Sequence, residues 1–223
     1  MSLSLMRLLQ LSSPSLPIGG FTYSQGLEWA TEAGWVTTVE AFRKWQLLQL
    51  EHSLVRVDLP ILQRLYQACA HHDIDTCRFW GQWLLSSRET METRQEEQQR
   101  SQALFRVLRG LSIAPEQDTW RAALQLTQAS GFAWAGCKWE IPLRDLLAGY
   151  GYSWLENSVM AGLKLVPYGQ QAAQALLAEL SQILDDQLSL AMTLGDEELG
   201  GSVPLMAIAS SRHETQHTRL FRS

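Results

Sequence analysis

Between Gly169 and Leu194 the apolar residues Ala173, Leu176, Leu177, Leu180, Ile183, Leu184, Leu188 and Ala191 fall at i, i+3, i+4 and i+7. That is the single stripe of an amphipathic helix, and Gln170, Gln174 and Glu179 point elsewhere. Helical periodicity recurs along the chain, whereas period-two alternation is nowhere sustained and β-branched runs are few, so the pattern predicts an all-α fold. Thr37-Thr38-Val39-Glu40 and Ser153-Trp154-Leu155-Glu156 have the capping-box form, in which a hydroxyl and a carboxylate satisfy the orphan amides of a helix start. Pro115 and Pro142 suit first-turn positions, and Pro60 predicts a break or restart near Asp58. Roughly eight to ten helices joined by short connections follow from these signals, a helical bundle forming one domain over residues 1–223.

Two segments resist that description. Ser12 to Gly20 carries Pro14, Pro17 and the pair Gly19-Gly20, which predicts a turn-rich loop before a helix starting near Phe21. Asp196 to Pro204, reading DEELGGSVP, is an acidic, glycine-rich linker. It predicts that the segment after about residue 196 is detached from the long helix and free to move.

Composition narrows the function classes. A net charge of −5 repels a polyphosphate backbone, and no basic patch offsets it, so no nucleic-acid partner is expected. Arg88, Arg94, Arg100 and Arg106 recur every six residues, about 240° apart on a helix, and cannot form one stripe. Arg88 with Glu92 and Glu96 with Arg100 are i,i+4 pairs, which predicts an exposed, solvated helix face. Three cysteines without C-x-x-C spacing argue for a reducing compartment, and the first residues lack a signal sequence. No window is long and apolar enough for a membrane span, so a soluble cytoplasmic protein is expected. Nine tryptophans are many for 223 residues, and Trp45, Trp80, Trp83, Trp120 and Trp139 are expected to fill gaps between helices.

The chemical motifs are few. His213-Glu214-Thr215-Gln216-His217 fits H-E-x-x-H, in which two imidazoles one helical turn apart hold zinc beside a glutamate base. A zinc-dependent hydrolase is therefore the alternative function, although no residue after His217 supplies a good third ligand. Cys69, His71, His72 and Cys77 form a second candidate cluster, but C-x-H-H-x4-C matches no closed metal site. Cys69 also continues the apolar face of Leu62, Leu65 and Tyr66, which predicts a buried thiol. There is no Walker loop and no G-x-S-x-G elbow, and Gly149-Tyr150-Gly151 lacks the third glycine of a dinucleotide fingerprint. No enzyme activity, no cofactor and no metal ligand set is expected.

Three segments taken together resemble the signature of the UreF family of urease accessory proteins. They are Leu16-Pro17-Ile18-Gly19-Gly20-Phe21 with Ser24-Gln25-Gly26-Leu27-Glu28, then Val159 to Gln170, and the ending Arg212 to Ser223. The resemblance implies an all-α scaffold or gate that joins UreD (UreH in some organisms) and the GTPase UreG on the urease apoprotein for nickel insertion. It also implies a homodimer inside that complex. It places UreD/UreH binding on the region before Ser12 and on Arg212, His213, Glu214, Arg219, Leu220, Phe221 and Arg222. It places UreG binding on Glu28 and Lys164, and structural turns at Pro17, Gly19, Gly20, Pro167 and Gly169. One departure is visible, since His217 stands where relatives commonly have tyrosine.

Overall fold

The computed structural model describes residues 2–223. Among them there is no strand, and the α-helices run in the order α1 (Ser2–Ser12), α2 (Leu27–Glu32), α3 (Val39–Gln49), α4 (Leu59–Ala70), α5 (Ile74–Ser86), α6 (Met91–Gly110), α7 (Asp118–Leu124), α8 (Gln128–Lys138), α9 (Leu143–Leu165), α10 (Gln170–Thr193) and α11 (Pro204–His213). A π-helical segment, Leu50–Asp58, joins α3 to α4 without a break, so these segments make ten separate rods.

The join follows from the proline. Pro60 cannot donate to the carbonyl four residues back, so an α-helical register would orphan Arg56 O. The chain answers with wider turns: Leu59 N bonds Leu54 O, five residues back, and α4 restarts immediately with Pro60 in its first turn. The Arg56 carbonyl is taken instead by Gly200 N at 3.4 Å. Pro60 thus restarts the helix as predicted, without bending the rod into two.

α4 is the central rod, with Leu59, Ile61, Leu62 and Leu65 fully buried and α5, α8, α9 and α10 packed around it. α8 reads QASGFAWAGCK, and every residue from Gln128 to Gly136 is buried. Its small side chains allow that, because Gly131 and Gly136 lie directly beneath Leu104 and Leu146. α10 closes the core with Ala173, Leu176, Leu177, Leu180, Leu184, Leu188 and Ala191, all on the predicted stripe. Trp45, Trp80 and Trp120 are buried in this core, while Trp83 and Trp139 pack half-buried against it.

Several local expectations shift. Thr38 rather than Thr37 caps α3, accepting from Ala41 N at 3.2 Å. Ser153 and Glu156 start no helix, since α9 runs straight through them and Ser153 is buried. Pro115 precedes α7 by three residues, and Pro142 is the N-cap of α9 rather than its first turn. Phe21 sits in a 3-10 turn, Gly20–Thr22, and the next helix waits until Leu27.

The largest revision concerns α6. Its charged half is not a solvated face, because Glu92, Glu96, Glu97 and Arg100 are all buried. Arg88 lies ahead of the helix and pairs with Asp58 of the π segment and with Glu97 at 3.6 Å, not with Glu92. Only the Glu96–Arg100 pair, 2.8 Å, forms as spaced. A small cavity lies against this cluster, lined in part by Gln49, Gln128 and Tyr150.

Candidate functional site

The sequence predicts a detached ending, and the structure shows a docked one. From Asp196 the chain crosses the central rod, with Arg64 Nη2 bonding Asp196 Oδ1 at 2.6 Å and Leu194 O at 2.9 Å. Gly201 touches the π segment so closely that a β-carbon there would run into the His52 carbonyl oxygen. α11 then packs on α2 and α6. Gly26, the N-cap of α2, has φ +81°, and a β-carbon on it would lie 2.6 Å from Ser210 N. Glycine is required there twice over, by its left-handed backbone and by the approach of α11.

Beyond α11 the last residues fold back onto three acids. His213 is fully buried with Nδ1 2.7 Å from Glu92 Oε2 and Nε2 3.2 Å from Glu28 Oε2. Both ring nitrogens thus lie within hydrogen-bond distance of a carboxylate. Glu28 also accepts from Leu220 N at 2.6 Å and Phe221 N at 2.9 Å, and Glu92 accepts from Arg219 Nη1 at 2.6 Å. Glu96 receives Gln25 Nε2 at 3.2 Å and Ser223 Oγ at 3.3 Å besides Arg100. The ending is finally laced to the first loop: Arg222 N bonds Thr22 O at 2.9 Å, and Ser24 N and Oγ bond Ser223 O at 2.5 and 2.6 Å. Charge-assisted bonds of this kind are roughly twice as strong as neutral ones, which is why a polar ending holds against a polar surface.

Each residue singled out in the sequence has a definite place here. Glu214 caps α6 from outside, accepting from Met91 N at 3.0 Å and Glu92 N at 3.4 Å, where a carboxylate also meets the positive end of the helix dipole. Phe221 is buried, and Lys164, exposed at the end of α9, holds Nζ 5.3 Å from the centre of its ring. Arg212, Arg219, Leu220 and Arg222 face outward, with Leu220 66 % exposed. Glu28 and Lys164, given to one partner by the resemblance, therefore both touch the ending given to another, and they meet at Phe221. Pro17 and Pro167 are exposed in the loops flanking this face, Gly19 has φ +76°, and Gly20 packs on Asn157. Gly169 has ordinary extended geometry with open space around it, so nothing in the backbone there demands glycine.

The H-E-x-x-H sequence does not form the zinc arrangement. α11 ends at His213, so His217 is not one helical turn along the same face, and it is exposed while His213 is sealed between two carboxylates. Among the described residues no group of three metal-ligating side chains could hold an ion. Cys69 is buried as predicted, and His71 and His72 stand exposed at the end of α4. Among the described residues no helix is long and apolar enough to cross a membrane.

Glu92 and Glu96, expected on a solvated face, and Ser24, given no role by the sequence, are buried residues that hold the ending. A signal existed: Glu92, Glu96 and Arg100 are four residues apart, and the stripe runs on into Leu104 and Leu108, which are fully buried. A charged face in line with an apolar one is a face turned inward. Behind it, three carboxylates, Asp58, Glu96 and Glu97, meet two guanidiniums, Arg88 and Arg100. Burial pushes the Glu97 carboxyl above the usual glutamate range and outweighs the pull of Arg88. Burial opposes the charge of Arg88, yet the Asp58 and Glu97 carboxylates hold it well above the usual range.

A second apolar surface lies on α1. Leu11 is buried and Leu8 reaches the α9 backbone at Gly149, while Leu3, Leu5, Met6 and Leu9 are each more than half exposed. The helix carries more apolar surface than its one seat on α9 can cover, the mark of an interaction face.

A sequence profile of the family UreF matches residues 36–181. The chain is 57 % identical over 221 residues to the urease accessory protein UreF of Pseudomonas entomophila, covering 99 % of this chain and 98 % of that one. It is 51 % identical over 218 residues to the protein of the same name from an Enterobacter species, covering 98 % and 97 %. With the protein of that name from Escherichia coli O157:H7 it shares 49 % identity over 219 residues, again covering 98 % and 97 %. The chain belongs to the UreF family of urease accessory proteins, maturation factors that are not enzymes and work with other urease maturation proteins.

Proposed function

We propose that this protein is a cytoplasmic scaffold or gate that joins UreD/UreH and the GTPase UreG on the urease apoprotein, as a homodimer within that complex, for nickel insertion. The observation that carries this reading is the meeting of Glu28, Lys164 and the docked ending at Phe221. UreD/UreH binds the outward residues of the ending, Arg212, Arg219, Leu220 and Arg222, together with the uncovered apolar residues of α1. Arginine is among the residue types that carry most of the binding energy at protein interfaces. UreG binds nearby at Lys164. Glu28 acts there indirectly, since its carboxylate is occupied by the ending and fixes the surface that both partners meet.

Removing Arg212–Ser223 entirely would also strip the buried acids of their partners, so exposed side chains make the sharper test. Leu220→Asp and Arg212→Glu are expected to abolish co-elution with UreD/UreH while leaving the helical circular dichroism unchanged. Lys164→Glu is expected to lose UreG from the complex and keep UreD/UreH. Full co-elution of the Leu220 and Arg212 variants would contradict the assignment of the ending, and retention of UreG by the Lys164 variant would contradict that of α9. UreG turnover measured with and without this protein and UreD/UreH separates a scaffold from an activator.

A further inference from the structure

Cys69 and Cys137, far apart in sequence, line one cleft. Cys69 lies at the end of α4 and Cys137 at the end of α8, the rods that pack together at the centre of the bundle, and the Cys137 sulfur rests on the last turn of α4, at the carbonyl of Tyr66 three residues before Cys69. Their surroundings differ. Cys77 is sealed in the core and Cys69 nearly so, whereas Cys137 is half-buried. Cys69 and Cys137 line a cleft of about 370 Å³ with Tyr66, His72, Lys138 and Glu140, and Cys77 does not. The Cys137 thiol donates to Tyr66 O at 3.1 Å.

We propose that Cys137 and Cys69 are a thiol–disulfide exchange pair, with Cys137 the entry thiol, Cys69 the resolving thiol and a low-molecular-weight disulfide of the glutathione type the reactant. The Cys137 thiolate attacks one sulfur of the reactant, the S–S bond breaks, and one small thiol leaves with the proton that Cys137 gave up. Cys69 then loses its proton and attacks the Cys137 sulfur of the mixed disulfide, and the second small thiol leaves. Two protein thiols are oxidised to one disulfide, and the reactant is reduced to two thiols. The division of labour follows from the two environments. Hydrogen bonding from Cys69 lowers the Cys137 thiol, against its own partial burial and with help from Lys138. The same contact with Cys137, the Cys77 thiol and burial push Cys69 far up. A half-buried thiol on the cleft beside Lys138, with a buried thiol behind it, is the arrangement that directs the first attack to one sulfur. The product is a covalent staple between α4 and α8, one that forms and breaks with the small-thiol pool.

The test uses the full chain, reduced and then freed of reductant, mixed with glutathione disulfide under nitrogen and followed by intact mass. The expected course is a transient gain of one glutathionyl group, then its loss to leave a product lighter by two hydrogens. A non-reduced peptide map is expected to place the link between Cys69 and Cys137, with Cys77 still open to alkylation after unfolding. Cys69→Ala is expected to stop at a stable adduct on Cys137, Cys137→Ala to gain none, and Cys77→Ala to behave as the parent. A lasting adduct on the parent, a link involving Cys77, or reaction only after unfolding in urea would each overturn the proposal. Because all three sites pack in the core, helicity is measured for every variant. If Cys69→Ala fails to fold, the peptide map of the parent decides.

Discussion

Glu28 shows how one side chain can be read as a surface acid and turn out to be a hub. It sits in the first turn of a six-residue helix, and its carboxylate accepts three bonds from the ending, from His213, Leu220 and Phe221. Glu28→Ala leaves those donors without their acceptor in a largely buried place, and is expected to cost roughly 2 kcal/mol. For a chain of this length that lowers the thermal midpoint by roughly 4–8 °C, which calorimetry would show. An unchanged midpoint would mean that the ending contributes nothing to folding. Glu97 makes the opposite kind of prediction. Its carboxyl is raised above the unfolded value by burial, so its contribution to stability is present below the ordinary glutamate range and is lost as pH rises through the folded value. Glu97→Gln keeps the shape and removes the charge, and its Oε2 has no hydrogen-bond partner to lose. Urea unfolding is expected to show the variant gaining on the parent steadily from mildly acid to neutral pH. A constant difference across that range would exclude the buried carboxyl as its source.

At the scale of elements, the pieces that looked like connectors carry the architecture. In the segment Asp196 to Pro204, Gly201 lies against the backbone of the π segment at His52, and Gly200 N bonds Arg56 O beside it. Gly201→Ala forces a methyl group into the His52 carbonyl, and the segment is expected to lift while α4, α8 and α10 hold. Hydrogen exchange should then accelerate at residues 196–204 and in the π segment, and remain slow in α4 and α8. Uniform acceleration would show instead that the segment and the core unfold as one unit. α6 is the other lesson at this scale. Its N-terminal half obeys the same inward stripe as Leu104 and Leu108, but fills it with charge, so Glu97 pairs with Arg88 just ahead of the helix, and Arg88 in turn with Asp58 of the distant π segment.

For the whole molecule, the ending is a structural member as well as a partner surface. His213, Phe221 and Ser223 are buried, and without them Glu28, Glu92 and Glu96 would face each other across α2 and α6 with fewer compensating donors. Truncation before His213 is therefore expected to destabilise the protein by roughly 3 kcal/mol or more, the scale of breaking a buried charged pair. Chemical denaturation reads this directly, and a truncated chain as stable as the parent would show that the ending merely rests on the surface. The all-α class, the stripe of α10, the restart at Pro60 and the buried Cys69 were all legible in the sequence, because each depends on neighbours within a turn or two of helix. The family was legible because its segments carry specific residue strings, and relatives match over nearly the whole chain. What only the tertiary structure decided was which polar residues face one another: that Glu96 and Arg100 point inward, that HETQH ends a helix instead of holding a metal, and that Glu28, Lys164 and Phe221 share one place. The physical reason is that periodicity records which side of a helix is covered, whereas polar pairing depends on what covers it, and the groups of the ending that cover Glu28, Glu92 and Glu96 lie more than a hundred residues away along the chain.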